Sequence, residues 1–136
     1  MYNNHIKKIT MKIAVATSHA PTPMGPFSQA VIAGNLVFVS AQLALDVSTG
    51  KMMIENIETE TRQVMENIKA ILAGAGIAFN HVIKASIFLK DIQDYVKVNA
   101  VYASYFKEPY PARETIQVAA LPANVNIEIS VIAVKE

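Results

Sequence analysis

At 136 residues the chain is the size of one domain, and a domain of this length buries roughly two-thirds of the surface its unfolded form exposes. Hydrophobic residues make up 52% and charged residues 17%, which excludes disorder. The absence of cysteine excludes disulfides, a thiolate nucleophile, an iron–sulfur cluster and a cysteine zinc site. A net charge of +1 supplies no bulk attraction for nucleic acid.

The N-terminal MYNNHIKKIT has neither the apolar stretch of a secretory signal nor the arginines of a transit peptide, so a cytoplasmic protein is expected. Residues 1–10 read as a loose extension before a single domain over 11–136, with Met11 offering a second start. The longest run free of charge, Ile13 to Leu45, is broken by Pro21, Pro23, Gly25, Pro26 and Gly34 and is no membrane helix. Met11–Thr17, which leads into it, reads as a strand, the proline-rich His19–Gln29 as a loop and Asn35–Ala41 as a buried strand. Asp46–Met52 carries Ser-Thr-Gly and closes a small hairpin.

Glu55–Ala73 is the first helix, with Ile57, Val64, Met65, Ile68 and Leu72 on one stripe and Glu55, Glu58 and Glu60 in the first turns, where the helix dipole favours acids. The Ala-Gly-Ala-Gly run at 73–76 is a helix end rather than a phosphate loop, which would have to open a helix. His81–Lys90 is a strand. Asp91 or Asp94 then caps a second helix to about Lys107, with an apolar stripe of Tyr95, Val98, Tyr102, Tyr105 and Phe106, and Pro109 and Pro111 stop it. The last strands are Glu114–Leu121 and Ile127–Val134, separated by Pro122-Ala123-Asn124.

The order β-β-α-β-α-β-β predicts an α+β domain, one sheet with two helices on one face. Two helices leave the second face bare. Yet Leu36 and Phe38 are as apolar as Val37 and Val39, and Ile132 and Val134 as Ile129 and Val131. A sheet that is apolar on both faces implies a partner, and a second copy of the chain is the simplest one. A homo-oligomer is expected.

Two residues stand out as candidates for chemistry. Arg113 opens a strand whose parity puts it on one face with Thr115 and Gln117. In a chain with ten lysines and only one other arginine, Arg62, it either grips a carboxylate or phosphate or is answered internally by Glu114 or Glu108. Glu128 lies on the most apolar strand, opposite in face to Ile127 and Ile129; it either pairs, sits at an edge or has a shifted pKa suited to a general base. The two strands are consecutive, an order that leaves them open to being neighbours. His5, His19 and His81 lack metal-ligand spacing, so no metal is expected. The tyrosines around Tyr102 read as helix core, and Lys7, Lys8 and Lys12 are too few for a nucleic-acid stripe.

Taken together and in order, GPFSQA, VSAQL, VNAVY, PARETIQVAALP and NIEISVIAV resemble the RidA (YjgF) family of reactive-intermediate deaminases, over about Met11 to Val134. The resemblance implies a chorismate-mutase-like fold and a homotrimer whose sheets pack inward as a barrel, with three clefts between subunits. It implies hydrolysis of 2-aminoacrylate and 2-iminobutanoate to 2-oxo acids and ammonia, with no metal or organic cofactor. On this likeness Arg113 clamps the substrate carboxylate, Glu128 positions water, Asn99 lines the cleft, and Ser40 and Ala41 present their backbone to it. Phe27 stands where the family's usual tyrosine is, Ala41 where its glycine is, and Thr115 at a position often cysteine. Other roles met in the family are a non-catalytic carboxylate-binding or holdase-like trimer and an endoribonuclease or translation inhibitor.

Overall fold

The computed structural model of the chain describes residues 11–136, so the expected extension over 1–10 lies outside the described residues. The strands are β1 (Ile13–Val15), β2 (Ala30–Ala33), β3 (Leu36–Gln42), β4 (Leu45–Asp46), β5 (Lys51–Met52), β6 (Val82–Leu89), β7 (Ala112–Gln117) and β8 (Ile127–Val134); the helices are α1 (Ile57–Gly74) and α2 (Tyr95–Ala103). Six strands form one mixed sheet in the order β1-β2-β3-β8-β6-β7, and β4 and β5 pair separately. Among the described residues only the β6–β7 pair in the large sheet is parallel; α2 makes the crossover between them. The architecture is the expected α+β.

The last strand shows how alternation builds the sheet. Ile127, Ile129, Val131 and Ala133 are buried beneath the helices, while Glu128, Ser130, Ile132 and Val134 face the other way. Helix α1 supplies the other wall of the core with Val64, Met65, Ile68, Ile71 and Leu72, all fully buried. Burying each such side chain is worth about 1.5–3 kcal/mol, which far exceeds helix propensity as the reason α1 forms here. Asn56 caps its start, Oδ1 accepting from the Thr59 amide at 2.8 Å. Its end lies at the expected glycines: Gly76 takes φ +78°, and the Lys135 ammonium donates to the Ala75 carbonyl.

Several expectations need correction. Strand β2 is additional: Ala30–Ala33 is only four residues long, and the two-residue Gly34-Asn35 link, with Gly34 at φ +61°, folds it back onto Leu36. Helix α2 ends at Ala103, short of Lys107, and a separate 3-10 turn over Ile92–Asp94 precedes it, capped by Asp91. Tyr105 and Phe106 lie beyond the helix, packed with Tyr102 and Phe79 in an aromatic cluster with centroids 4.6–5.2 Å apart. Strand β7 begins at Ala112 and stops at Gln117. Glu60 is fully buried: its carboxylate accepts from both the backbone and side-chain amides of Asn126, at 2.7 Å each, and so ties α1 to the start of β8.

The proline-rich loop is held by Gln29, itself buried. Its Oε1 accepts from the Thr17 amide, and its Nε2 reaches the carbonyls of Thr17, Ala20 and Pro21. The sheet face away from the helices carries Val31, Leu36, Phe38, Phe88, Ile116, Ile132 and Val134, with Phe38 42% and Ile116 47% exposed. No helix among the described residues is long and apolar enough to cross a membrane.

Candidate functional site

Arg113 and Thr115 pair in register with Ala85 and Ile87 of β6. Those two are fully buried under the helices, so Arg113 and Thr115 point to the helix side, and because β7 is an edge strand the guanidinium rises beside α2. Tyr95, Asn99 and Tyr102 meet it there, the spacings of four and three residues placing them on one face of α2. Arg113 Nη2 donates to Asn99 Oδ1 at 2.7 Å and to the Tyr95 hydroxyl at 3.2 Å. Its Cζ lies 4.9 Å from the Tyr102 ring centroid and 5.5 Å from that of Tyr95, within cation–π range of both.

What Arg113 lacks is an anion. Among the described residues no carboxylate lies within ion-pair distance of it. Glu114, one of the two internal partners the sequence allowed, is on the opposite face, where the Ser86 hydroxyl at 2.9 Å and the Lys84 ammonium at 3.6 Å hold its carboxyl below the usual range. Glu108, the other, makes no ion pair with it either. Asn99, Tyr102, Ala103, Tyr110, Pro111 and Arg113 line a cleft of about 290 Å³. The hydroxyls of Tyr102 and Thr115 are buried with no hydrogen-bond partner among the described residues. Burial pushes the Tyr102 phenol up in pKa against the opposing pull of Arg113, so it stays neutral. A fixed cation with open N–H groups, in a cleft the size of a small molecule, suits a small carboxylate.

Glu128 lies elsewhere, and the two consecutive strands are not neighbours. Strand β6 runs between β7 and β8, and Glu128 points to the face away from the helices, opposite Phe88. Within one chain Arg113 and Glu128 therefore project from opposite faces of the sheet. Glu128 is half-buried, and burial raises its pKa. Ser40 and Ala41 occupy the extra step of β3 between Val39↔Val131 and Gln42↔Ile129, a bulge beside the same strand. The Ser40 hydroxyl donates to the Ser28 carbonyl at 2.7 Å and its amide to Gln29, so both hold the loop in which Phe27 sits half-exposed. The structure thus gathers Arg113, Asn99 and Thr115 on one side and leaves Glu128, Ser40, Ala41 and Phe27 apart from them.

Tyr95 and Tyr110 were not legible as cleft residues. Tyr95 fell on the expected apolar stripe, but it is 41% exposed and bonded to Arg113. The readable signal was the Tyr95–Asn99 spacing of one helical turn beside a strand that opens with an unanswered arginine.

The fold and the cleft define a small α+β domain with a carboxylate-sized pocket on an arginine. The family model described as endoribonuclease L-PSP matches residues 17–135. A RutC family protein of Pyrococcus horikoshii is 50% identical over 126 residues, 93% of this chain and all of that protein. Reactive Intermediate Deaminase A of the Arabidopsis thaliana chloroplast is 48% identical over 122 residues, 90% of this chain and 65% of that protein. The crystal structure of Escherichia coli TdcF with bound serine superposes with a TM-score of 0.86 at 36% identity, covering 91% of this chain and 99% of the other. The chain belongs to this family, the Rid proteins.

Proposed function

We propose that the protein is an enamine/imine deaminase that converts 2-iminobutanoate, and 2-aminoacrylate as its imine tautomer, to 2-oxo acids and ammonia. The reading rests on one observation: the guanidinium of Arg113 is held by Asn99 and two tyrosine rings in a cleft and is answered by no carboxylate among the described residues. The deaminase name of the Arabidopsis relative and the serine bound to the E. coli neighbour agree with it.

The chemistry asks little of the protein. An imine carbon is already electrophilic; water adds to it, the nitrogen is protonated and leaves as ammonia, and the carbonyl forms, so imino acid plus water balances oxo acid plus ammonia with no cofactor. Arg113 holds the carboxylate and fixes the carbon, while a carboxylate orients and deprotonates the water. A base with a raised pKa suits that task, and Glu128 has one. In this reading the missing proximity is supplied by assembly: the apolar sheet face packs against copies of the chain as a homotrimer, and Glu128 of one copy meets Arg113 of another across a cleft that also takes in Phe27 and the Ser40–Ala41 bulge. Cytoplasmic location, where dehydratases release such imines, belongs to the same reading.

A second reading is a carboxylate-binding module without turnover, favoured by the projection of Arg113 and Glu128 from opposite faces in one chain. A threonine dehydratase-coupled assay separates the two. The deaminase accelerates release of 2-oxobutanoate and ammonia, and Arg113→Ala abolishes the acceleration. Binding of 2-oxobutanoate by wild type without acceleration supports the module instead.

A further inference from the structure

Both two-pronged faces of a guanidinium share one nitrogen. The end-on fork uses Nη1 and Nη2, and the side-on fork uses Nε and Nη2, so any bidentate carboxylate requires a hydrogen on Nη2. In this structure Nη2 is the nitrogen of Arg113 that is engaged. It carries two hydrogens and already serves two acceptors, Asn99 Oδ1 and the Tyr95 hydroxyl. Nε and Nη1 have no side-chain partner among the described residues. A carboxylate therefore either binds through a single nitrogen or displaces one of the two residents.

The residents are not equal. Asn99 is half-buried on the second turn of α2 and bonds at 2.7 Å. Tyr95 is the first residue of α2, is 41% exposed and bonds at 3.2 Å, at the weak end of the range. Within the chain it is the less enclosed and more weakly bonded of the two.

The geometry points to Tyr95 as a placeholder: its hydroxyl occupies the second prong of Arg113 and gives way when a carboxylate binds. This rests on the cleft being a carboxylate site. Tyr95 is then a residue that sets affinity by competing with the ligand. Asn99 stays in place and keeps the guanidinium plane oriented. The bond is at the long end of the range and its tyrosine is 41% exposed, which puts it below the strength of a well-made bond to a charged group; relieving the competition is worth about fivefold in affinity, or about 1 kcal/mol.

The test is titration of the full chain with 2-oxobutanoate, read by calorimetry, for wild type, Tyr95→Phe and Arg113→Ala. Phenylalanine keeps the ring over the guanidinium and removes only the competing oxygen. Tyr95→Phe should bind about fivefold tighter than wild type, Arg113→Ala should lose binding, and the ring-carbon resonance of Tyr95 should shift on ligand addition to wild type. A purely structural role for the hydroxyl predicts the opposite sign. If Tyr95→Phe binds equally or more weakly while Arg113→Ala still loses binding, the placeholder is refuted and the carboxylate site survives. If Arg113→Ala binds undiminished, or none of the three proteins binds, the carboxylate reading itself falls.

Discussion

Replacing Glu60 tests how α1 and the sheet are joined. The Glu60 carboxylate is fully buried, and its two oxygens each accept a 2.7 Å bond from Asn126, one from the backbone amide and one from the side chain. Hydrogen bonds to a charged group contribute about 1.5–3 kcal/mol each. Glu60→Ala removes both, strands a backbone N–H and leaves a void, for a loss of about 3–5 kcal/mol. In a domain of this length that lowers Tm by about 10–15 °C. Glu60→Gln fills the same space: its oxygen accepts from the Asn126 backbone, and its amide donates to Asn126 Oδ1 once that side chain flips, so the cost falls to about 1 kcal/mol. Urea unfolding of both variants at one fixed protein concentration, with Asn126→Ala and the double mutant, completes the test. A loss below about 1 kcal/mol for Glu60→Ala, or a glutamine as damaging as the alanine, would refute the clamp.

Two further outcomes concern the other sheet face. Burial raises the folded-state pKa of Glu128 above its unfolded value near 4.5, so folding favours the protonated form. The penalty on the ionised form is absent below about pH 4.5 and grows as pH rises through the raised folded-state value. Glu128→Gln should therefore melt above wild type at pH 7 and level with it near pH 4; a gap of equal size at both pH values would count against a buried, ionising Glu128. Phe38→Lys places a charge opposite Ile132 in the apolar face. Sedimentation should find wild type trimeric and the variant monomeric at micromolar concentration with its far-UV spectrum intact, and a variant of unchanged mass would remove that face from the interface.

Strands and helices with strong periods are legible in the sequence. Ile127–Val134 has the expected bounds because a run rich in β-branched residues lies between Asn126 and Lys135, and the stripe Ile57, Val64, Met65, Ile68 and Leu72 is buried throughout. Strand β2 escaped because four residues carry almost no period and their pairing is set by the Gly34 turn rather than by composition. Glu60 escaped because an acid in a first turn satisfies the helix dipole whether it is exposed or buried, and only the arrival of Asn126 from sixty-six residues away decides. Asn99 was named only as a cleft residue, through the family likeness; its hydrogen bond to Arg113 is visible only in the structure. The relation of Arg113 to Glu128 was not readable, because strand order is a property of the crossover through α2, and chain adjacency says nothing about whether β6 inserts between β7 and β8.

The most direct measurement mixes two broken copies. Arg113→Ala and Glu128→Gln are each expected to lose acceleration in the dehydratase-coupled assay. If Arg113 of one copy works with Glu128 of another, co-refolding the two variants in equal amounts rebuilds intact clefts: random trimers are mixed in six cases of eight with one good cleft in three, about a quarter of wild-type activity. Recovery to that level is the predicted result. Two variants that stay inactive when mixed, although each assembles normally, would contradict a cleft shared between copies.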